Sequence, residues 1–199
     1  DSIKKIVFFD YQVSRGREGP TGILEDFEGY LQTDGYSVYE AFDKTKQITL
    51  MHCMAHARRM FHDALDNDEQ RAGYALDHIQ KLYTIERICK ENALNFAEIK
   101  EVRQQRAVPI LESLGKWMRE QYVQTTPKSA IGKALAYSIE RWSKLSLYTE
   151  NGMLNIDNNP VENSIRPVAL GRKNYLFAGS HEAAQRSAML YSLLGTCKM

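Results

Sequence analysis

Apolar and polar residues follow two rhythms along this chain: short β-branched or aromatic runs up to about residue 67, then a long stretch with helical spacing. IVFF at 6–9, inside IKKIVFFDY, predicts a strand over 3–11, which SRGREGP breaks. Over 22–31, Ile23, Leu24, Phe27, Tyr30 and Leu31 recur at helical intervals and predict a short amphipathic helix. A strand over 31–33 then delivers Asp34. Residues 36–42 read as another short helix, and QITLMHC at 47–53 as a strand before HARRMFHDAL turns helical. This β, α, β, α, β order with short connections favours a mainly parallel sheet covered by helices, an α/β class.

Over 68–148 helix formers dominate, no strand pattern is present, and Ile79, Leu82, Tyr83 and Glu86 illustrate the repeat. Several antiparallel helices are expected, with breaks near 92–95, 125–128 and 149–152. A crossover between parallel strands needs only a dozen or so residues. The longer 68–148 segment therefore reads as a helical insertion subdomain, with 1–67 and 149–199 forming the core. A last helix is expected over about 182–196. There Ala183, Ala184, Ser187, Ala188, Tyr191 and Leu194 give a mostly small-residue face suited to close packing.

Composition narrows the class without naming a partner. With 199 residues, 43% hydrophobic and 26% charged, the chain has the makings of a globular domain, and no apolar run is long enough to cross a bilayer. Three widely spaced cysteines, Cys53, Cys89 and Cys197, argue against a disulfide framework and for a reducing compartment, so a soluble, cytoplasmic protein is expected. A formal charge of +1 leaves nucleic-acid binding to local basic patches.

The candidate chemistry sits in IDNNPVENSIRPVALGRKN at 156–174. If Asn159 caps a helix and Pro160 takes its first position, Asn159, Glu162 and Arg166 fall at i, i+3 and i+7 and share one face. The same spacing of Asn159 and Glu162 is also a capping box, with a structural role only. A second acid, Asp34, ends an apolar run in GYLQTDGYSVY. The carboxyl end of a strand is where open α/β sheets place their ligands, although Asp-Gly is also an ordinary turn.

Together these segments resemble the insertion sequence 66 family of bacterial transposases. The likeness rests on FFDYQVSRGREGP at 8–20, LQTDGY at 31–36, CMAHARRMF at 53–61 and DNNPVENSIRPVALGRKNYLFAGS at 157–180, in the family's order. It implies an RNase H-like mixed sheet with flanking helices and a catalytic Asp, Asp, Glu metal site. By position the second Asp falls on Asp34 and the Glu on Glu162. The family's first Asp lies on a strand well before the first block, so the chain is expected to be a truncated piece lacking the first strands, and inactive by itself. The implied cofactor is Mg²⁺ or Mn²⁺ on Asp34 and Glu162. The implied partner is DNA, as transposon ends and target, acted on by a homo-oligomer, with element-encoded helper proteins as further candidates.

Phosphoryl transfer on DNA needs its attacking and leaving oxygens held in line and their charge neutralised, which converging carboxylates and divalent ions achieve. Asp10, at the end of the first expected strand, is the local substitute for the absent acid, or a turn acceptor before Ser14. Asn159 and His56 are placed as groups that orient the site. Arg166, Arg172 and Lys173 beside Glu162, and Arg58 and Arg59 on the helix after Cys53, are candidates for DNA phosphates, or solvated helix ends. Lys4, Lys5, Arg15 and Arg17 would extend such a track. His52, Cys53, His56 and His62 lack the spacing of a structural zinc site, which favours Cys53 as a small buried residue. Trp117 and Trp142 read as core anchors of the insertion. The competing hypothesis is a noncatalytic DNA-binding or assembly module, in which Glu162 merely caps its helix.

Overall fold

Strand β1 (Gly29–Thr33) and strand β2 (Ile48–His52) pair in parallel, joined through a 3₁₀ helix at Ser37–Lys44. The computed structural model describes residues 4–14, 16–44, 47–174 and 177–198, and within them this pair is the whole sheet. Helices make up the rest: α1 (Glu18–Ile23), α2 (Met54–His62), α3 (Glu69–Glu91), α4 (Phe96–Val102), α5 (Val108–Tyr122), α6 (Ala130–Ser146), α7 (Asn159–Asn174) and α8 (His181–Cys197). The chain divides into two compact units. A helical unit comprises Tyr30–Gly35 and Thr49–Asp157, and a split unit comprises Asp1–Gly29, Tyr36–Ile48 and Asn158–Met199.

The helical unit follows its sequence pattern closely. Its apolar stripes close on one core, in which Met54, Phe61, Ile79, Leu82, Leu114, Met118, Leu135, Leu145 and Tyr148 are fully buried. Each such side chain contributes roughly 1.5–3 kcal/mol by leaving water. Local chemistry sets the helix ends. The Asp68 carboxylate accepts the Arg71 N–H at 3.0 Å to start α3, Asn95 and Glu98 form a capping box at α4, and the Ser129 hydroxyl accepts the Gly132 N–H at 3.1 Å to start α6. The expected breaks fall between α3 and α4, between α5 and α6, and after the 3₁₀ turn Leu147–Glu150. Gly115 lets α5 approach α6, because a Cβ there would overlap the Trp142 indole. That indole is buried and donates to the Leu111 carbonyl at 3.3 Å, while the Trp117 ring stacks on Tyr74 with centroids 4.3 Å apart.

Two features depart from the local pattern. A π-helical turn, Arg103–Ala107, joins α4 to α5. The segment 151–158 has no regular structure, yet Gly152, Ile156 and Asp157 within it are buried.

In the split unit the first expected strand is absent: residues 6–10 are extended but pair with no other strand among the described residues. Their partner is a helix. The Val7 N–H donates to Thr196 Oγ1 at 3.1 Å and the Thr196 hydroxyl donates to the Val7 carbonyl at 3.1 Å. At Phe9 the N–H donates to Ser192 Oγ at 2.8 Å, while the single hydroxyl hydrogen of Ser192 faces the carbonyls of Ala188 at 2.8 Å and Phe9 at 3.3 Å. Hydroxyls can do this because each is both donor and acceptor. The Phe9 ring meets Tyr191 edge-on and the Tyr11 hydroxyl lies 2.7 Å from His181 Nδ1.

The helix expected over 22–31 is also corrected. It begins earlier, at Glu18, and ends at Ile23. Gly29 at φ +120° cannot continue a right-handed helix, and its N–H instead bonds the Gln47 carbonyl at 2.9 Å, drawing Tyr30 and Leu31 into β1. Helix α8 presents the expected small-residue face, with 183, 184, 187, 188, 191 and 192 half-buried, except that Leu194 is exposed. Neither α7 nor α8 contains a fully buried residue, and Leu170, Phe177, Met189, Leu190 and Leu193 are exposed.

Candidate functional site

Asp34 emerges from the carboxyl end of β1, the position at which parallel strands offer ligand sites. Gly35 makes the exit possible. It sits at φ +87°, and a Cβ there would lie 3.1 Å from the Tyr137 hydroxyl. That hydroxyl reaches the Asp34 carbonyl at 3.4 Å, and the Arg141 guanidinium covers the Tyr137 ring at 4.4 Å. The Asp34 side chain is exposed.

β2 ends at the same edge of the pair, so the amino end of α2 also lies there. Cys53 is its buried N-terminal flank, and His56 and Arg58 are half-buried on its first turns, while Arg59 is exposed. His52 is buried at the end of β2. A third segment closes this edge: Gln32 Nε2 donates to the Asn155 carbonyl at 2.9 Å and the Met54 N–H to the Ile156 carbonyl at 3.1 Å. Beside it lies an acid that the sequence reading passed over. Asp157 is 7% exposed and accepts the Tyr83 hydroxyl at 2.9 Å. Burial, reinforced by the Asp157 carboxylate, holds the Tyr83 phenol far above its ordinary pKa, so it stays a donor into the alkaline range where a free tyrosine ionises. The available signal was the first residue of DNNPVEN, an acid directly after the apolar Ile156.

Glu162 belongs to the split unit, in the first turn of α7, and is half-buried. The helix starts one residue before the position expected from the sequence. The N–H groups of Val161 and Glu162 bond the Asn158 carbonyl at 2.9 and 3.1 Å, so Asn158 takes the cap position and Asn159 is the first helical residue. Pro160 lies where its missing N–H is not needed. Pro167, inside the helix, leaves the Asn163 carbonyl without its usual donor. Asn159, Glu162 and Arg166 keep their spacing of three and four along α7. Arg172 and Lys173 occupy its last turn, where the helix dipole favours cations. Arg166, Arg172 and Lys173 are all exposed.

Asp10, the local substitute acid, accepts a hydrogen bond from Gln12 and lines an open groove of about 370 Å³ with Phe9, Tyr11, Phe177, Tyr191 and Arg172. Arg15 of the expected basic track lies outside the described residues. Among the described residues no three His, Cys, Asp or Glu side chains are grouped to hold a metal, and no helix is long and apolar enough to cross a membrane. Asp34 belongs to the helical unit and Glu162 to the split unit, and each carboxylate by itself is a hard oxygen donor. That donor chemistry suits a Mg²⁺-type ion, which binds through one or two carboxylates and keeps its waters.

Residues 1–186 match the family model described as Transposase IS66 family. Among curated proteins the chain is 32% identical to an uncharacterized protein, y4hP, and 33% identical to another, y4qI, both of Sinorhizobium fredii (strain NBRC 101917 / NGR234). These alignments cover 95% and 98% of this chain and 37% of each relative, so the chain spans well under half of their length. No solved structure matches.

Proposed function

Because the chain belongs to the IS66 family of transposases, we propose that it is the catalytic region of a DNA transposase, with Asp34 and Glu162 as its metal-binding acids. The observation that carries this reading is the placement of Asp34 directly after a parallel strand, within the block LQTDGY on which the resemblance rests and inside the matched residues 1–186. The fold would be of the RNase H-like, DDE type. A bound Mg²⁺ or Mn²⁺ would neutralise charge on the transferring phosphoryl group. Asp34 and Glu162 would hold it from two elements remote in sequence, with Asn159 and His56 orienting the carboxylates or their waters. Arg166, Arg172 and Lys173 on α7, and Arg58 and Arg59 on α2, would take backbone phosphates of the transposon end and target. The donor set is one acid short of the family's three, so this stretch alone would be inactive.

The test is strand cleavage by a full-length transposase carrying this chain. Asp34→Ala and Glu162→Ala are each expected to abolish cleavage while leaving the folded state intact by circular dichroism. Near-normal cleavage by either variant refutes the assignment. It would leave the noncatalytic assembly module, a reading that draws its support from the exposed apolar residues of α7 and α8.

A further inference from the structure

A buried irregular segment is costly, because its main-chain carbonyls leave water without a ladder to receive them. Residues 148–157, the end of the 3₁₀ turn and the irregular stretch after it, offset that cost in an unusual way: donors from elsewhere in the helical unit, mostly side chains, answer six of their carbonyls. Arg103 is 2% exposed and spends all five of its N–H groups. Nη1 donates to the carbonyls of Tyr148 at 2.8 Å and Asn151 at 2.9 Å. Nη2 donates to the Leu154 carbonyl at 2.9 Å, and the remaining two N–H groups hold the Glu86 carboxylate at 2.6 and 2.9 Å. Gln104 donates to the Thr149 carbonyl at 3.0 Å, Gln32 to that of Asn155, and the Met54 N–H to that of Ile156. The last tie is the Tyr83 hydroxyl on Asp157.

Asp157 is also the last residue of the helical unit, and the chain enters α7 two residues later. Glu162 is the fifth residue after it. The ties therefore hold the segment that runs on into α7, and they come from β1, α2, α3 and the π-helical turn.

Resting on the proposed role of Glu162, we infer that Tyr83 is a positioning residue for that acid: through Asp157 it anchors the origin of α7 and so the metal-binding carboxylate. The helical unit supplies the anchorage rather than a reacting group. Misplacing a reacting group by about 1 Å can cost roughly 100-fold in rate.

The experiment compares Tyr83→Phe, Asp157→Asn and Ile79→Val in the full-length transposase. Phenylalanine keeps the ring and removes the tie. Asparagine keeps an oxygen that accepts from Tyr83, and Ile79→Val thins the same core while leaving every tie in place. Tyr83→Phe is expected to lower kcat for cleavage roughly 10- to 100-fold per folded molecule, to leave KM for DNA within about twofold, and to raise the Mn²⁺ concentration giving half-maximal cleavage. Asp157→Asn and Ile79→Val are expected to stay within about threefold of the parent in kcat.

An unchanged kcat and Mn²⁺ response in Tyr83→Phe overturns the inference, as does an equal loss in Ile79→Val, which would mark a general effect of stability. Loss in Asp157→Asn with normal Tyr83→Phe also overturns it, since Asp157 would then act directly. If Glu162→Ala cleaves normally, the catalytic assignment falls and the positioning role with it. If Glu162→Ala is dead and Tyr83→Phe normal, only the positioning role falls.

Discussion

Replacing Arg103 with methionine removes a guanidinium whose five donors all have acceptors in a site 2% exposed. Glu86, with its side chain 19% exposed, would lose its partner, the carbonyls of Tyr148 and Leu154 would lose the guanidinium, and that of Asn151 would keep only the Leu154 N–H at 3.1 Å. Breaking a buried pair by deleting one member costs about 3–5 kcal/mol, and stranded carbonyls add about 1–3 kcal/mol each where water cannot reach them. The terms are coupled and do not sum, so the lower range, about 3–5 kcal/mol, is the expectation. With an m-value of about 2 kcal/mol/M in urea, the unfolding midpoint should fall by roughly 1.5–2.5 M.

Tryptophan emission is the natural probe, because Trp117 and Trp142 both lie in the helical unit. The double variant Arg103→Met, Glu86→Leu should recover part of the loss, since the half-buried lone carboxylate is then gone while the carbonyls still lack the guanidinium. Arg103→Lys should resemble the methionine variant more than the parent, because a single ammonium cannot span five acceptors. A midpoint shift below about 0.5 M in Arg103→Met would refute the reasoning. It would place the network in the range of an exposed pair, about 0–1 kcal/mol.

Two further outcomes follow from the same unit. Gly152→Ala should destabilise it by about 1–3 kcal/mol or more, measured by the same urea titration, because a Cβ there would overlap the Phe96 carbonyl and main chain has little freedom to retreat. Stability should fall at both ends of the pH scale. The Arg71 N–H, bonded to the Asp68 carboxylate, holds that acid below its ordinary pKa, so its contribution is full above about pH 4 and is lost as pH falls through the lower folded value. Burial holds the Tyr83 and Tyr148 phenols above theirs, so their contribution is full below about pH 10 and is lost as pH rises beyond it. Urea midpoints from pH 2 to 11 check both arms, and Asp68→Asn, which keeps a capping oxygen without the titration, should flatten the acid arm.

Helices α2 to α6 were legible because their stability comes from apolar stripes and caps, both written locally. The polar network that crosses them was not, although its members carried a signal. Glu86 continues the core-facing repeat of Ile79, Leu82 and Tyr83, and Arg103 lies on the stripe that runs through Ile99 and Ala107. A charge on an apolar stripe announces a buried partner without saying where it is. The 3–11 run departs from its pattern for a different reason. Its alternation is real, with Val7, Phe9 and Tyr11 inward and Ile6 and Phe8 outward, but alternation cannot tell whether a strand or a helix takes the inward edge. Local pattern was enough to place Asp34 at a strand end and Glu162 in the first turn of a helix, as β1 and α7 have them. Asp157 was not legible in this way, since its partner Tyr83 lies 74 residues away in sequence.

The docking of that run on α8 has a built-in length limit. Two residues of extended chain advance about 6.7 Å, whereas four residues of helix rise about 6.0 Å. Val7 and Phe9 meet Thr196 and Ser192 at this near-match. The vernier slips by about 0.7 Å at each step. At the third step α8 carries Ala188, which has no hydroxyl to offer, and Tyr11 turns to its side chain and His181 instead. Adding a serine at 188 should therefore lengthen the helix's row of hydroxyls without lengthening the contact.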